Sequence, residues 1–512
     1  MITLFKVFMS PEASTKVSTT LGSGYIAQGP KVDEFETQLQ NYLNVSSIVT
    51  VNSATSGLTL AFRLLDLQAG DEVVCSPLTC FATVAPLLTN HPNVRIRWVD
   101  IDPTTCNIDM NDLEAKISDK TKAILFVHWG GSPVDLKEVQ RIREQAETTF
   151  STRIHVIEDC AHAFGSEYQG QKIGSHGNIC VFSTQAIKHL TTGDGGFLCL
   201  PTDEMFQRAR RLRWYGIDRD AQRNVRLVSE IKEAGYKFHM NDIAASIGLA
   251  NLPYIDRNLD YARQLANYYD SELAHIVGVQ SVRPPVNSVS AYWLYTIRII
   301  DRDNFVNYMK DKDVQVNQVH SRLDQYECTK EFSEELPQLD IFQREMVCIP
   351  IGWWVTREQA TFIVDAIRTW CQQLTVRPLT TSLADNQGYS ELMIQLNNHV
   401  LPVDEEQWKI RLEQVTAQKG LISVIEYKGQ LIATVKTLVE YKFDRDVIHI
   451  EDVVVHRDWR HYGLGTMLLK QCIALAEKHN CYKIILNART NVSSFYEQMG
   501  FQHEENEYVY RL

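Results

Sequence analysis

The segment "FSTQAIKHLTTGDGG", residues 182–196, places one lysine between an apolar, β-branched run and a glycine-rich turn. Lys188 follows "GNICVFSTQAI", a stretch suited to a buried strand, where an unpaired ammonium is costly. A solvated lysine on a short loop is the commoner fate of any single lysine. The sharper alternative is a nucleophilic amine that condenses with an aldehyde and so needs no salt-bridge partner. Upstream, "VIEDCAHAFG" ends an apolar run on Asp159, at the carboxyl edge where open α/β sheets hold ligands. A carboxylate there can pair with a pyridinium nitrogen, although a strand-end Asp is also a common helix cap. Further upstream, "VNSATSGLTLAF" sets small and hydroxyl residues, Ser53 to Gly57, at the opening of a helix. Free N–H groups and the helix dipole favour a phosphate at such a position. Ser183 could add a hydroxyl.

A second constellation lies towards the other end. In "VVVHRDWRHYGLGTMLLK", Arg460, Gly463 and Gly465 have R-x-x-G-x-G spacing between a strand and a helix start. Glycines let the backbone approach a pyrophosphate, and the helix N-terminus supplies donors. Two glycines before a helix are equally often only a tight turn.

These residues need a scaffold. From about residue 45, apolar runs such as "SSIVTV", "DEVVCSP", "VRIRWVDI", "KAILFVH" and "IHVIEDC" alternate with helical patterns such as "LKEVQRIREQAE". That rhythm predicts an α/β domain whose mostly parallel sheet is covered on both faces. The stretch "CQQLTVRPLTTSLADNQGYSEL" is polar, contains a proline and lacks steady periodicity. Its residues 376–390 read as a linker between a domain of residues 1–375 and a second of residues 391–512. In the latter, "GLISVIEYKGQLIATVKTLVEY" reads as two strands around a "YKGQ" turn, and "VIHIEDVVV" as a third. "GLGTMLLKQCIALAEKHN" is an amphipathic helix with apolar residues at 464, 467, 468 and 475, and "YKIILNA" is again a strand.

With 512 residues the chain exceeds one ordinary core and implies two to four domains. Its 63 acidic against 51 basic residues argue against nucleic acid or an anionic membrane as partner. Eleven cysteines without a C-x-x-C pair read as free thiols in a reducing compartment, not as a disulfide frame or a zinc site, so no metal is expected. The opening "MITLFKVFMSPEAST" is too short and too quickly polar to read as a signal peptide, and no apolar run approaches the ~20 residues of a membrane helix, which predicts a cytoplasmic protein.

The order of phosphate cup, strand-end Asp and lysine before "GDGG" resembles the fold-type-I pyridoxal phosphate enzymes. More specifically, "GSGYIAQGPKVDEFE", "EDCAHAFGSEYQGQKIGSHGNICVFSTQAIKHLTTGDGG" and "GYKFHMNDIAASIGLANL" resemble, in order, segments of the DegT family of nucleotide-sugar aminotransferases. The resemblance implies a fold-type-I domain with a small C-terminal subdomain. It makes Lys188 the Schiff-base lysine and proton carrier, Asp159 the pyridine partner, and Ala54, Thr55 and Ser183 phosphate contacts. His162 is placed beside the ring. It also implies a homodimer in which Lys237, where many relatives carry Asn, reaches the neighbouring subunit's cofactor phosphate. Cys80 stands where many relatives place a ring-stacking Trp or Phe, and Phe81 could substitute only with a shift of register. The family reaction takes nitrogen from L-glutamate and delivers it to a keto sugar linked to a nucleoside diphosphate. Related dehydratases carry histidine in place of the lysine, so its presence here favours transamination.

Residues 391–512 resemble an α+β GNAT acetyltransferase, and "HIEDVVV", "NCYKIIL" and "NVSSFYEQMGF" most resemble glucosamine-6-phosphate N-acetyltransferase. This implies acetyl-CoA pyrophosphate on the loop of Arg460, Gly463, Gly465 and Thr466, with Asn491 near the CoA arm. Backbone of Glu451 to Val453 would hold the thioester carbonyl, and Tyr496 would protonate the departing thiolate. A tyrosine packed in a core with a satisfied hydroxyl is the bland alternative. The segment "LNARTN" is shorter than in glucosamine-6-phosphate enzymes, which puts a sugar-phosphate pocket in doubt. Together the resemblances imply a bifunctional enzyme that aminates a keto-deoxy sugar nucleotide, expected to be a 4-keto-6-deoxy sugar, and acetylates the product. The rivals are an aminotransferase fused to an independent glucosamine-6-phosphate acetyltransferase, and a non-catalytic scaffold.

Overall fold

The structure, a computed structural model, describes residues 1–219, 230–397 and 404–503. The chain divides into two compact units, residues 1–274 with 281–364, and residues 275–280 with 365–512.

The first unit is built on a seven-stranded sheet. In spatial order its strands are Ile48–Val51, Gly196–Cys199, Ile179–Ser183, His155–Asp159, Thr121–Val127, Glu72–Cys75 and Arg95–Trp98. Gly196–Cys199 runs antiparallel to both neighbours, and the other pairings are parallel, as the sequence pattern predicts. The central strands read as continuous apolar runs because both faces are covered. Val49, Val51, Val73, Cys75 and Leu125 join one core cluster, while Ile48, Val74, Ile124 and Phe126 join another. Alternation with period two therefore divides a strand between two cores instead of between core and water. A smaller antiparallel pairing, Tyr295–Ile299 with Met346–Ile349, follows later in the unit.

The parallel strands bring their carboxyl ends to one edge. Asp159 and Ser183 close neighbouring strands there, with Asp159 in register with Val181. Ser53 caps the helix Ala54–Leu64 just after the strand Ile48–Val51, its Oγ accepting from the Ser56 N–H at 3.1 Å.

The second unit has a five-stranded sheet in the order Leu374–Pro378, Gly420–Tyr427, Gln430–Glu440, Val447–Val455 and Lys483–Leu486. Only the last pairing is parallel. The expected turn between the first two long strands is Lys428–Gly429, both at positive φ (49° and 83°), the backbone a two-residue hairpin requires. The helix Leu464–Lys478 is present, but its buried face is Leu464, Leu468, Leu469, Cys472 and Ala476, with Met467 and Leu475 only partly covered.

The stretch 376–390, read from sequence as a linker, is structured. Leu374–Pro378 pairs as an edge strand with Ser423–Tyr427, and Ser382 caps a helix over Leu383–Leu396. Arg377 joins them, bonding Asp385 at 2.7 Å and 2.8 Å and Glu426 at 2.7 Å. Polarity concealed both elements. Pro378 is tolerated because it ends an edge strand, and the helix gains its apolar spacing only in its second half, at Tyr389, Leu392, Met393 and Leu396.

Candidate functional site

The carboxyl edge of the seven-stranded sheet gathers the predicted residues of the first constellation. Asp159 is 4% exposed, and each oxygen accepts one hydrogen bond, Oδ2 from Thr83 Oγ1 at 2.7 Å and Oδ1 from the Ala161 N–H at 3.0 Å, which leaves acceptor capacity for a further donor. Burial pushes its carboxyl up, against the opposing pull of Thr83, Ala161 and Lys188. Lys188 sits in the turn that follows Ser183, its N–H donating to Gln185 O at 2.9 Å. Its Nζ lies 3.4 Å from the centroid of the Trp293 indole. Burial pushes the Lys188 ammonium down to about 7, with Asp159 opposing. A lysine in that range is a neutral nucleophile for much of the time at neutral pH.

His162 is 2% exposed and stacks on Trp293 with centroids 3.9 Å apart. Burial, then Lys188 and His320, hold its pKa well below the usual histidine range. The ring is therefore neutral, and since Nδ1 lies 3.3 Å from the Gly130 N–H, which can donate to it, Nε2 carries the proton and is a donor.

At Ala54 and Thr55 the first-turn N–H groups have no carbonyl of their own helix to bond, which suits them to an anion. Ser183 is drawn to this helix end through Gly196, which stands opposite both Val51 and Ser183 in the sheet. A Cβ on Gly196 would lie 2.8 Å from Ala54 N and 2.6 Å from Phe182 O, so the close approach that forms the cup depends on glycine. A buried amine, a buried carboxylate, a neutral histidine donor and an anion cradle fit pyridoxal phosphate.

Lys237 is not part of this cluster. Its Nζ rests 3.6 Å from the Trp214 ring centroid, and its described contacts include none with Asp159, His162 or Lys188. Phe81 packs edge-on against Tyr326 and is 38% exposed, whereas Cys80 is close enough to act electrostatically on Lys188. The bond from Thr83 to Asp159 ties the turn Phe81–Thr83 to the sheet edge.

Sequence reasoning passed over Thr83 and Trp293. Thr83 is one of many buried hydroxyls, and Trp293 lies more than a hundred positions from Lys188, where no local pattern links them. The Trp293 Nε1–H donates to Ile187 O at 2.9 Å and so ties down the turn that carries Lys188.

His128, Glu158 and Cys160 also lie close together and buried. His128 Nε2 bonds Glu158 at 2.8 Å, its Nδ1 accepts from the Val134 N–H, and the other Glu158 oxygen accepts from Asn178 at 2.7 Å. Burial opposes the Glu158 charge, but the His128 and Asn178 bonds outweigh it and hold the carboxyl below its usual range. These atoms form a hydrogen-bonded brace beside Asp159.

In the second unit, Gly463 (φ 76°) turns the chain into the helix Leu464–Lys478. Gly465 packs on Phe495, where an added Cβ would stand 3.0 Å from the ring, and this joins the loop to the short helix Ser493–Gln498 that carries Tyr496. Arg460 is exposed, its Nε donating to Val455 O at 3.4 Å, and Thr466 is in the first turn of the helix. Tyr496 is half-buried between Phe495 and Phe501, and burial raises its hydroxyl pKa. Asn491 falls in the turn Thr490–Val492, but its side chain lies outside the described residues.

The parallel ladder between Val447–Val455 and Lys483–Leu486 ends at Ile450 opposite Leu486. Among the described residues, Glu451 to Val453 therefore continue without a partner strand on that side, which leaves their backbone groups there open to a ligand. A register shift against the strand Gln430–Glu440 and a positive φ at Asp452 (52°) mark a bulge there. Asp452, which sequence reasoning did not single out, is half-buried. Burial raises its pKa against the pull of Lys436, with Glu451 adding to the rise.

The fold and the lysine, carboxylate and anion cradle at the sheet edge define a fold-type-I transferase joined to an acetyltransferase. Residues 9–368 match the DegT/DnrJ/EryC1/StrS aminotransferase family and residues 390–501 the acetyltransferase (GNAT) family. The chain belongs to the DegT/DnrJ/EryC1/StrS aminotransferase family and carries a GNAT domain. It is similar to the solved structure of AtS13 from Actinomadura melliaura, with 44% identity and a TM-score of 0.70 over 72% of this chain and 98% of that one. Sugar aminotransferase CalS13 from Micromonospora echinospora is 42% identical, with a TM-score of 0.70 over 72% and 100% of the two chains. UDP-4-amino-4-deoxy-L-arabinose–oxoglutarate aminotransferase of Shewanella sediminis is 32% identical over 58% of this chain and 77% of its own. Among the described residues no helix is long and apolar enough to cross a membrane.

Proposed function

We propose that this sugar aminotransferase with a GNAT domain performs two consecutive steps on one substrate. The first unit aminates a keto-deoxy sugar nucleotide, of the 4-keto-6-deoxy class, with nitrogen from L-glutamate. The second transfers acetyl from acetyl-CoA to the new amine. The observation that carries the reading is the presence, in one chain, of a buried lysine and carboxylate suited to imine chemistry and a GNAT fold suited to acylating amines.

Pyridoxal phosphate, when bound, supplies the electron sink that lets nitrogen pass between an amino acid and a ketone. Asp159 would hold a proton on the ring nitrogen, and His162 would donate from Nε2 to an acceptor beside the ring. Lys188 would bind the cofactor and then, as a free amine of pKa near 7, take and return the proton at the reacting carbon. The first-turn N–H groups of Ala54 and Thr55, with Ser183, would hold the phosphate. Lys237 would serve the site of a second subunit in a homodimer.

In the second unit, donors from the unpaired strand at Glu451 to Val453 would polarise the thioester carbonyl as the amine attacks, and Tyr496 would protonate the departing thiolate. The loop of Arg460, Gly463, Gly465 and Thr466 would carry the pyrophosphate, with Asn491 towards the pantetheine arm. Fusion would raise the local concentration of the amino sugar near the second site only where the connection lets the two sites approach.

The test is to incubate the purified chain with a panel of keto sugar nucleotides, L-glutamate and acetyl-CoA. An acetamido sugar nucleotide, formed only when all three are supplied, supports the reading. Amination of none of the panel contradicts it.

A further inference from the structure

A cavity of about 660 Å³ opens at the opposite end of the seven-stranded sheet from Lys188. Its wall includes the amino-terminal ends of the strands His155–Asp159 and Ile179–Ser183, which carry Asp159 and Ser183 at their other ends. Arg143 and Arg153 line it, and among the described residues neither guanidinium has a hydrogen bond or a carboxylate within ion-pair distance. The Arg143 Nε is itself buried and without a partner. Arg153 is exposed to solvent, so the unexpected feature is the Arg143 Nε, buried and partnerless at the wall of a cavity.

The one carboxylate in the lining, Glu147, is within ion-pair distance of neither guanidinium and offsets at most one of the positive charges. Glu147 Oε1 is taken by the Ile154 N–H at 2.8 Å. Lys122 adds a third positive charge at the edge, its Nζ donating to the lining hydroxyl of Thr152 at 3.0 Å. The helix Asp203–Leu212 starts at the cavity, its cap Thr202 forming part of the lining. His155, on the same wall, has its pKa lowered chiefly by burial and then by Arg153, with Glu147 opposing and Arg143 adding to the fall.

We propose that this cavity is a second, non-catalytic binding site for a phosphate-bearing small molecule, held by Arg143 and Arg153. Guanidinium groups suit phosphate oxygens because their forked N–H groups form two parallel, charge-assisted bonds. The volume is that of a site for a small metabolite, not for a single ion. The shared chemistry is the phosphate group, which either inorganic pyrophosphate or a nucleoside monophosphate presents.

The experiment is calorimetric titration of the full chain, with pyridoxal phosphate bound and coenzyme A saturating, so that the cofactor and acyl-donor sites are filled and the arginine variants separate this cavity from the sugar-nucleotide site. Inorganic pyrophosphate and adenosine monophosphate are the two probes. The wild-type chain should bind at least one of them saturably, one per chain, and the better probe distinguishes a free phosphate from a nucleotide. Arg143→Gln combined with Arg153→Gln should weaken that binding at least ~10-fold, the loss expected when charge-assisted hydrogen bonds are removed. Bound-cofactor absorbance should be unchanged. Thr202→Asp keeps a good helix cap while adding a negative charge to the lining, and should also weaken binding. Absence of saturable binding in the wild type, or equal binding by wild type and both variants, would overturn the proposal.

Discussion

Lys188 Nζ lies 3.4 Å from the centre of the Trp293 indole, and the same indole donates its N–H to the carbonyl of Ile187, the residue before the lysine. One side chain thus covers the amine and fixes the turn that presents it. The indole face attracts a cation, yet the buried setting prevails and lowers the lysine to about 7.

The rate at which the cofactor-free chain takes up pyridoxal phosphate should follow the neutral fraction of Lys188. A depressed lysine is protonated and unreactive below its pKa and free above it, so uptake should rise through about pH 7 and level off above it. Stopped-flow absorbance measures this. A midpoint near that of an ordinary lysine would contradict the buried setting.

Lys188→Ala should abolish transamination while leaving acetylation of a supplied amino sugar largely intact, because the two chemistries use separate units. Retained aminotransferase turnover in this variant would remove Lys188 from its assigned role.

Thr83→Val takes away a 2.7 Å hydrogen bond that stabilises the Asp159 carboxylate. Its loss raises the Asp159 pKa further, so the acid limb of kcat against pH should move to higher pH, with activity recovered on the alkaline side. Asp159→Asn should bind cofactor but turn over poorly at every pH. An unmoved acid limb in Thr83→Val would show that another group titrates there.

Gly196→Ala drives a methyl against Ala54 N and Phe182 O, at 2.8 Å and 2.6 Å. Overpacking of this kind costs about 1–3 kcal/mol. Cofactor affinity should fall along with the melting temperature, because the displaced helix end is the phosphate cup. A stable variant with unchanged cofactor affinity would place the phosphate elsewhere.

Much of this architecture was legible in sequence because strand runs, the strand-end Asp159 and the lysine before "GDGG" are local patterns. Contacts between distant segments were not. Trp293 reaches Lys188 from a separate part of the chain, and Thr83 reaches Asp159 across parallel strands, so neither leaves a spacing signal. The stretch 376–390 misled for the opposite reason: a short edge strand and a half-amphipathic helix carry too few apolar residues to show a period. Asp452 was hidden because a bulge inverts the register that "HIEDVVV" suggests.

The central claim is that the amine made by the first unit is the one the second unit acetylates. The direct measurement is kcat/KM for acetylation by the full-length Lys188→Ala chain, comparing a nucleotide-linked 4-amino-4,6-dideoxy sugar with glucosamine-6-phosphate, since that ratio reads specificity free of the first reaction. A clear preference for the nucleotide-linked amine, slowed by adding Tyr496→Phe, is the predicted result. A clear preference for glucosamine-6-phosphate would contradict consecutive action and leave two independent enzymes on one chain.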